Sequence, residues 1–192
     1  MRVTIIRHGL VDHRWKKSCT SAEFDEECRL YDEAPIIITE DSKWISEAKS
    51  ALTKSGKLSN NIPKIYISTL VRTRLTAETL FGQRSFVKSD LIHEVPMRSA
   101  FDSEKRIPLW FWYVSVRLQW LCGSSRQPET MRQTKERAQH FVIDIIQKDE
   151  DCIIVTHGFF MRTLMAAMKR NGFRQNNMPL FYKNGETIVF EN

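Results

Sequence analysis

The sequence predicts a three-layer α/β/α fold: a mostly parallel, open sheet with helices on both faces and a helical insertion over the candidate site. Three observations predict it. Val3-Thr4-Ile5-Ile6 runs into Arg7-His8-Gly9, and Cys152-Ile153-Ile154-Val155-Thr156 runs into His157-Gly158. Apolar runs of that length read as strands buried on both faces. Between them, strand-like runs alternate with stretches of helical period, which places parallel strands beside crossover helices.

The elements follow in order. Residues 2–7 read as a first strand, and 10–35 as a polar loop rich in charge. After Ile36-Ile37-Ile38, any of Thr39, Asp41 and Ser42 can cap a helix over 42–55. Its Trp44, Ile45, Ala48 and Leu52 recur at helical spacing, and Gly56 offers a stop. Lys64 to Ser68 is a second strand turning directly into a helix over 70–81, closed by Gly82. Phe86-Val87 begins a short third strand, and residues 90–108 lack a period. Leu109, Trp112, Tyr113, Val116 and Trp120 share one helical face. Thr130-x-x-Gln133 is a capping-box signature for a helix reaching Gln147. A helix over 159–170 follows the 152–156 strand and ends at Asn171-Gly172. Leu180 to Phe190 reads as a terminal hairpin around Asn184-Gly185. The chain reads as a single domain over 1–192, with an insertion over about 90–128 and no linker.

Composition excludes several classes. At 192 residues, with 42% hydrophobic and 27% charged residues, the chain can bury a sizeable core. The net charge of +6 favours anionic partners. Charge alone would admit nucleic acid, but no zinc-ligand spacing, basic helix or RNA-binding aromatic motif accompanies it, so none is expected. The most apolar stretch, Ile107 to Cys122, is interrupted by Arg117 and is too short to span a bilayer; no membrane partner is expected. Cys19, Cys28, Cys122 and Cys152 are scattered, as suits thiols of a reducing compartment. With a strand starting at the N-terminus, a cytoplasmic location is expected. Oligomeric state is not legible.

In open α/β sheets, ligands sit at the carboxyl ends of the strands. The groups delivered there are Arg7 and His8, Arg72 just after the second strand, and His157. Two guanidiniums can fork onto the oxygens of a phosphoryl group. The helices beginning near Arg72 and Phe159 would add amide donors. One neutral imidazole can then attack phosphorus in line while the other hydrogen-bonds the transferring oxygens. Gly9 and Gly158 would let the backbone approach the anion. Taken singly, a buried histidine is more often a satisfied core residue; two beside two arginines at strand ends point to chemistry. No carboxylate–histidine spacing suggests a metal, and no cofactor is implied.

These residues carry a resemblance. Arg7-His8-Gly9, the stretch Ser68-Thr69-Leu70-Val71-Arg72-Thr73-Arg74-Leu75-Thr76-Ala77, and His157-Gly158 resemble the histidine phosphatase superfamily, in the same order and over nearly the whole chain. The resemblance implies that His8 becomes phosphohistidine, that Arg7, Arg72 and His157, with Gly9, form the phosphate pocket, and that transfer is two-step. It also implies a general acid after the third strand. Glu94 matches best, with Asp90, Asp102 and Glu104 as competitors. Leu10-Val11-Asp12-His13 stands where phosphoglycerate mutases carry sugar-phosphate contacts, which favours a phosphatase over a phosphomutase. The expected substrate is a phosphomonoester or a phosphohistidine, on a phosphorylated small molecule or protein. A catalytically idle module that binds phosphorylated partners ranks last, because nucleophile and arginines are all present.

The remaining candidates read more plainly. His13, His93 and His140 are expected at the surface or in loops, and Arg74 on a solvated helix face. Arg98, Lys105 and Arg106 are expected to be solvated rather than to grip substrate. The Trp110–Trp120 stretch is expected to pack a lid helix, more than to line a pocket for a planar leaving group. Arg132, Lys135, Glu136 and Arg137 are expected on a charged outer face.

Overall fold

Side-chain alternation along the strands decides which helix lies on which face. The computed structural model describes residues 1–39, 41–54, 63–175 and 182–192. Strand β1 (Arg2–Arg7) is flanked by β6 (Cys152–Thr156) in parallel and by β8 (Thr187–Glu191) in antiparallel orientation. With β3 (Lys64–Ile67), β4 (Val87–Lys88) and β7 (Arg174–Gln175) they form one sheet of order β4-β3-β6-β1-β8-β7. Val3, Ile5, Cys152 and Ile154 point to the face covered by α5 (Met131–Lys148) and α6 (Gly158–Arg170). Ile6, Ile65, Ile67, Ile153 and Val155 point to the other face, covered by α2 (Lys43–Lys54) and α3 (Val71–Phe81). The expected three-layer α/β/α arrangement is present, and a period of two residues per strand produces it.

Most elements fall where periodicity places them. In α2, Trp44, Ala48 and Leu52 are buried on one face. Helix α5 starts at the expected capping box: Thr130 Oγ1 accepts from Gln133 N at 3.4 Å, and Gln133 Oε1 accepts from Thr130 N at 2.8 Å. Its Arg132, Lys135 and Glu136 are exposed. Arg137 instead turns inward, donating to Glu129 at 2.6 Å and to the Leu91 carbonyl at 2.8 Å. The Gly56 stop lies outside the described residues. Among the described residues no helix is long and apolar enough to cross a membrane.

Two expectations are corrected. Residues 10–35 are not a polar loop: they contain β2 (Ser18–Cys19) and a 13-residue helix, α1 (Ser21–Glu33). Thr20 and Glu23 form a second capping box at its start, with reciprocal bonds of 3.2 and 3.0 Å. The helix carries seven charged residues among thirteen, and its apolar side is a narrow stripe of Phe24, Cys28 and Tyr31, so its cap and a few contacts hold it. The terminal hairpin is replaced by different pairing, since β8 lies between β1 and β7. Part of the expected first arm, residues 180 and 181, lies outside the described residues. The Asn184-Gly185 turn docks instead on the end of β1, where Asn184 Nδ2 donates to the carbonyls of His8 and Gly9 at 3.1 and 3.0 Å.

The insertion also has a partner that periodicity did not supply. Helix α4 (Leu109–Cys122) packs on α1 through a small separate core of Cys19, Phe24, Ala100, Trp112 and Val116. Trp112 stacks on Phe24 with ring centroids 5.5 Å apart, and its Nε1 donates to the Cys19 carbonyl at 3.0 Å. A two-stranded ribbon of β2 and β5 (Ile107–Pro108) ties the segments together. Removing the Trp112 side chain leaves a large hole in this core. Trp112→Ala should lower stability by about 3–5 kcal/mol in urea unfolding followed by circular dichroism. Proteolysis near 18–33 and 97–122 should quicken before the sheet is cut; a variant as stable as the parent would mean that this core is dispensable.

Candidate active site

Strand register brings the histidines together. Arg7 is paired with Thr156 across the parallel β1–β6 ladder, so the next residue on each strand is a histidine, side by side at the carboxyl edge. His8 N donates to the Thr156 carbonyl at 2.9 Å, extending the pairing by one step. The ring centroids of His8 and His157 are 5.2 Å apart. On the other side of β6, Ile67 pairs with Val155, which places Ser68 and the start of α3 against His157.

Hydrogen bonds then fix each tautomer. Nδ1 of His8 lies 2.8 Å from the Gly9 carbonyl, which can only accept, so Nδ1 carries the proton and Nε2 the lone pair. In His157 the order is reversed. Arg72 Nε donates to its Nδ1 at 3.1 Å, leaving the proton on Nε2, which donates to Ser68 Oγ at 2.6 Å. Both rings are buried, and burial lowers both pKa values well below 6.5, reinforced by the charge of Arg72. Both are therefore neutral at neutral pH.

Arg72 is fully buried in the first turn of α3. Its Nη1 donates to the Tyr31 carbonyl and to Asp32 Oδ1, and Nη2 to the same Oδ1, each at 3.1 Å. The guanidinium lies 4.8 Å from the Tyr31 ring centroid. Arg7 leans across the site to the Tyr182 carbonyl, and its Nε is buried without a hydrogen-bond partner among the described residues.

A cavity of about 370 Å³ opens beside these groups, lined among others by Arg7, Trp15, Tyr31, Asp32, Glu94 and Tyr113. Glu94 is thus brought to the site, while Asp90, Asp102 and Glu104 do not line it. Glu94 Oε1 accepts from Val95 N and Phe160 N, both at 2.9 Å, and Oε2 from Phe159 N at 3.3 Å. Those first-turn amides of α6 were expected to serve an anion directly; the carboxylate of Glu94 takes them instead. Asp102 pairs with Arg126, and Arg106 with Glu23. Arg74 pairs with Glu78 on the exposed face of α3.

The two glycines also have a steric reason. A Cβ on Gly9 would fall 2.7–2.9 Å from the Trp44 ring, and a Cβ on Gly158 would fall 2.7 Å from Arg7 Nε. The Gly9 amide donates to Thr76 Oγ1 at 2.8 Å. Both glycines make room for a side chain that crosses over them.

Sequence reasoning missed Trp15, Tyr31, Asp32 and Arg117 at the cavity. His13, expected at the surface or in a loop, lies in the loop before β2, half-buried against Trp15 and Tyr31 and 3.1 Å from Glu27. The Thr20-x-x-Glu23 box was the available signal, since it starts the helix that carries Tyr31 and Asp32. From the Trp110–Trp120 stretch, Trp112 packs as a lid residue should, while Tyr113 and Arg117 line the cavity. Arg117 lies 3.5 Å over the Phe159 ring, and its Nη1 is buried without a hydrogen-bond partner among the described residues. Burial lowers its pKa.

Paired neutral imidazoles and two arginines thus meet at adjoining strand ends. The model of the histidine phosphatase superfamily (branch 1) matches residues 3–190. The chain belongs to that superfamily. No curated protein matches the sequence. Among solved structures, Bacillus stearothermophilus YhfR is similar, with a TM-score of 0.62, 19% identity, and coverage of 99% of this chain and 90% of the other. The mycobacterial glucosyl-3-phosphoglycerate phosphatase Rv2419c gives 0.59 at 16% identity, covering 98% and 88%. The phosphoserine phosphatase of Entamoeba histolytica, solved with 3-phosphoglyceric acid, gives 0.58 at 14%, covering 98% and 89%. At these identities the likeness is one of fold.

The buried histidines make stability pH-dependent. Unfolded, each imidazole protonates near 6.5; folded, each refuses the proton until much lower pH. Above 6.5 neither state binds it, and the contribution is fully present. As pH falls below 6.5 the unfolded chain gains protons, so stability drops by up to about 1.4 kcal/mol per pH unit for each histidine. The urea midpoint should therefore be clearly lower at pH 5 than at pH 7, and His157→Gln should roughly halve that difference. Equal midpoints at the two pH values would contradict the burial of neutral imidazoles.

Proposed function

We propose that this chain is a metal-independent phosphatase that hydrolyses a phosphomonoester through a covalent intermediate on His8. The observation that carries the reading is the fixed tautomer of His8: its Nδ1 proton is committed to the Gly9 carbonyl, so the Nε2 lone pair is the nucleophile. The ring is neutral at neutral pH because it is buried beside Arg72 and Arg7.

In the first step Nε2 forms a bond to phosphorus while the bond from phosphorus to the leaving oxygen breaks. Arg7, whose Nε awaits an acceptor, and Arg72 offset the charge on the phosphoryl oxygens, and His157 donates from Nε2 by exchanging its bond to Ser68. Glu94 delivers a proton to the leaving oxygen from Oε2, whose single backbone contact, from Phe159 N at 3.3 Å, is the longest the carboxyl group makes. In the second step water attacks phosphorus, Glu94 takes its proton, and the bond to Nε2 breaks, releasing inorganic phosphate. The leaving group would lie against Trp15 and Tyr113, near the cation of Arg117, in the cavity that the insertion helps to line.

His8→Ala should abolish release of phosphate from a generic aryl phosphate, and Glu94→Gln should lower kcat by about 10²–10⁴-fold. Full turnover by the His8 variant would remove the mechanism. Because the folded imidazole titrates below 6.5, kcat/KM should persist as pH falls through 6.5 and fail only lower. Phosphate release measured against sugar phosphates and phosphoglycerates distinguishes hydrolysis from transfer to a second hydroxyl of the substrate.

A further inference from the structure

We propose that Asp32 is a built-in stand-in for the phosphoryl group: its carboxylate holds the Arg72 guanidinium until phosphate displaces it. The inference rests on the phosphate role proposed above for Arg72.

Position is the first argument. Arg72 has no exposed side-chain surface and does not line the cavity, whereas Asp32 is 44% exposed and does. A phosphoryl group entering from the cavity therefore meets Asp32 before it meets Arg72. The contacts are the second. Asp32 Oδ1 accepts from both terminal nitrogens of Arg72 at 3.1 Å, covering the donor fork that a phosphoryl group needs.

Local forces do not explain why Asp32 is there. It lies in the last turn of α1, at the negative end of the helix dipole, with no basic residue in that turn. The attraction of Arg72 across 40 residues of sequence is what holds it. A carboxylate and a phosphoryl dianion repel each other, so the two anions exchange at Arg72 rather than share it. Exchange discriminates among ligands. Inorganic phosphate has only its own charge to spend on displacing Asp32. A phosphomonoester whose leaving group also packs on Trp15 and Tyr113 brings further binding energy. Asp32 thus acts as a specificity-determining residue that disfavours small phosphates, the product included.

Calorimetric titration with inorganic phosphate tests this on wild type, Asp32→Asn, Asp32→Ala and Arg72→Ala, with melting temperatures recorded for each. The Asp32 variants should bind phosphate on the order of tenfold more tightly than wild type. Vanadate inhibition of aryl phosphate hydrolysis should strengthen in parallel. Unchanged or weaker binding in both folded Asp32 variants would overturn the proposal and make Asp32 an orienting partner of Arg72. Wild-type binding that Arg72→Ala abolishes establishes the phosphate role separately. Binding that survives Arg72→Ala overturns both readings.

Discussion

A fully buried guanidinium is the constraint around which the site is organised. Arg72 cannot be solvated, so every donor it carries needs an acceptor from the protein. The acceptors it finds are His157 Nδ1, the Tyr31 carbonyl and Asp32, and each has a consequence. Accepting from Arg72 fixes the tautomer of His157. Accepting at Tyr31 and Asp32 anchors the end of α1, and with it the small core that α1 shares with α4. The charge of Arg72 helps to keep both imidazoles neutral. Sheet register, ring chemistry and the wall of the cavity therefore meet in one side chain.

The parts of the fold legible in sequence are those governed by short-range period. Cys152–Thr156 is apolar at every position but the last and has the length of a strand, and it is one. Thr130 and Gln133 satisfy each other three residues apart, and the helix starts there. Helix α1 was obscured because its 13 residues carry few apolar side chains; its cap was visible, but its packing on Trp112 comes from nearly 90 residues away. The terminal hairpin failed for a related reason. Local alternation describes a strand but not its partner, and β8 pairs with β1, at the far end of the chain.

The site divides in the same way. His8, His157, Arg7 and Arg72 follow directly from strand ends, so a linear reading reaches them. Asp32 and Arg117 are surface-like in sequence and become site residues only through the docking of α1 and α4. Glu94 was reachable from its position after the third strand, but its three backbone bonds were not. The steric reason for the glycines was invisible too, since it depends on which side chain crosses over them.

That last point bears on how such a site can vary. The two His-Gly pairs have the same letters and separate reasons: one yields to the ring of Trp44, the other to the guanidinium of Arg7. Positions 7 and 158 therefore form one heritable unit, as do 9 and 44, although each pair spans two distant segments. A larger residue at 158 is admissible only after Arg7 has shortened or moved, and a change at 44 sets what position 9 tolerates. Drift at either histidine turn is thereby tied to a residue in a distant segment of the chain: Trp44 for the first turn and Arg7 for the second.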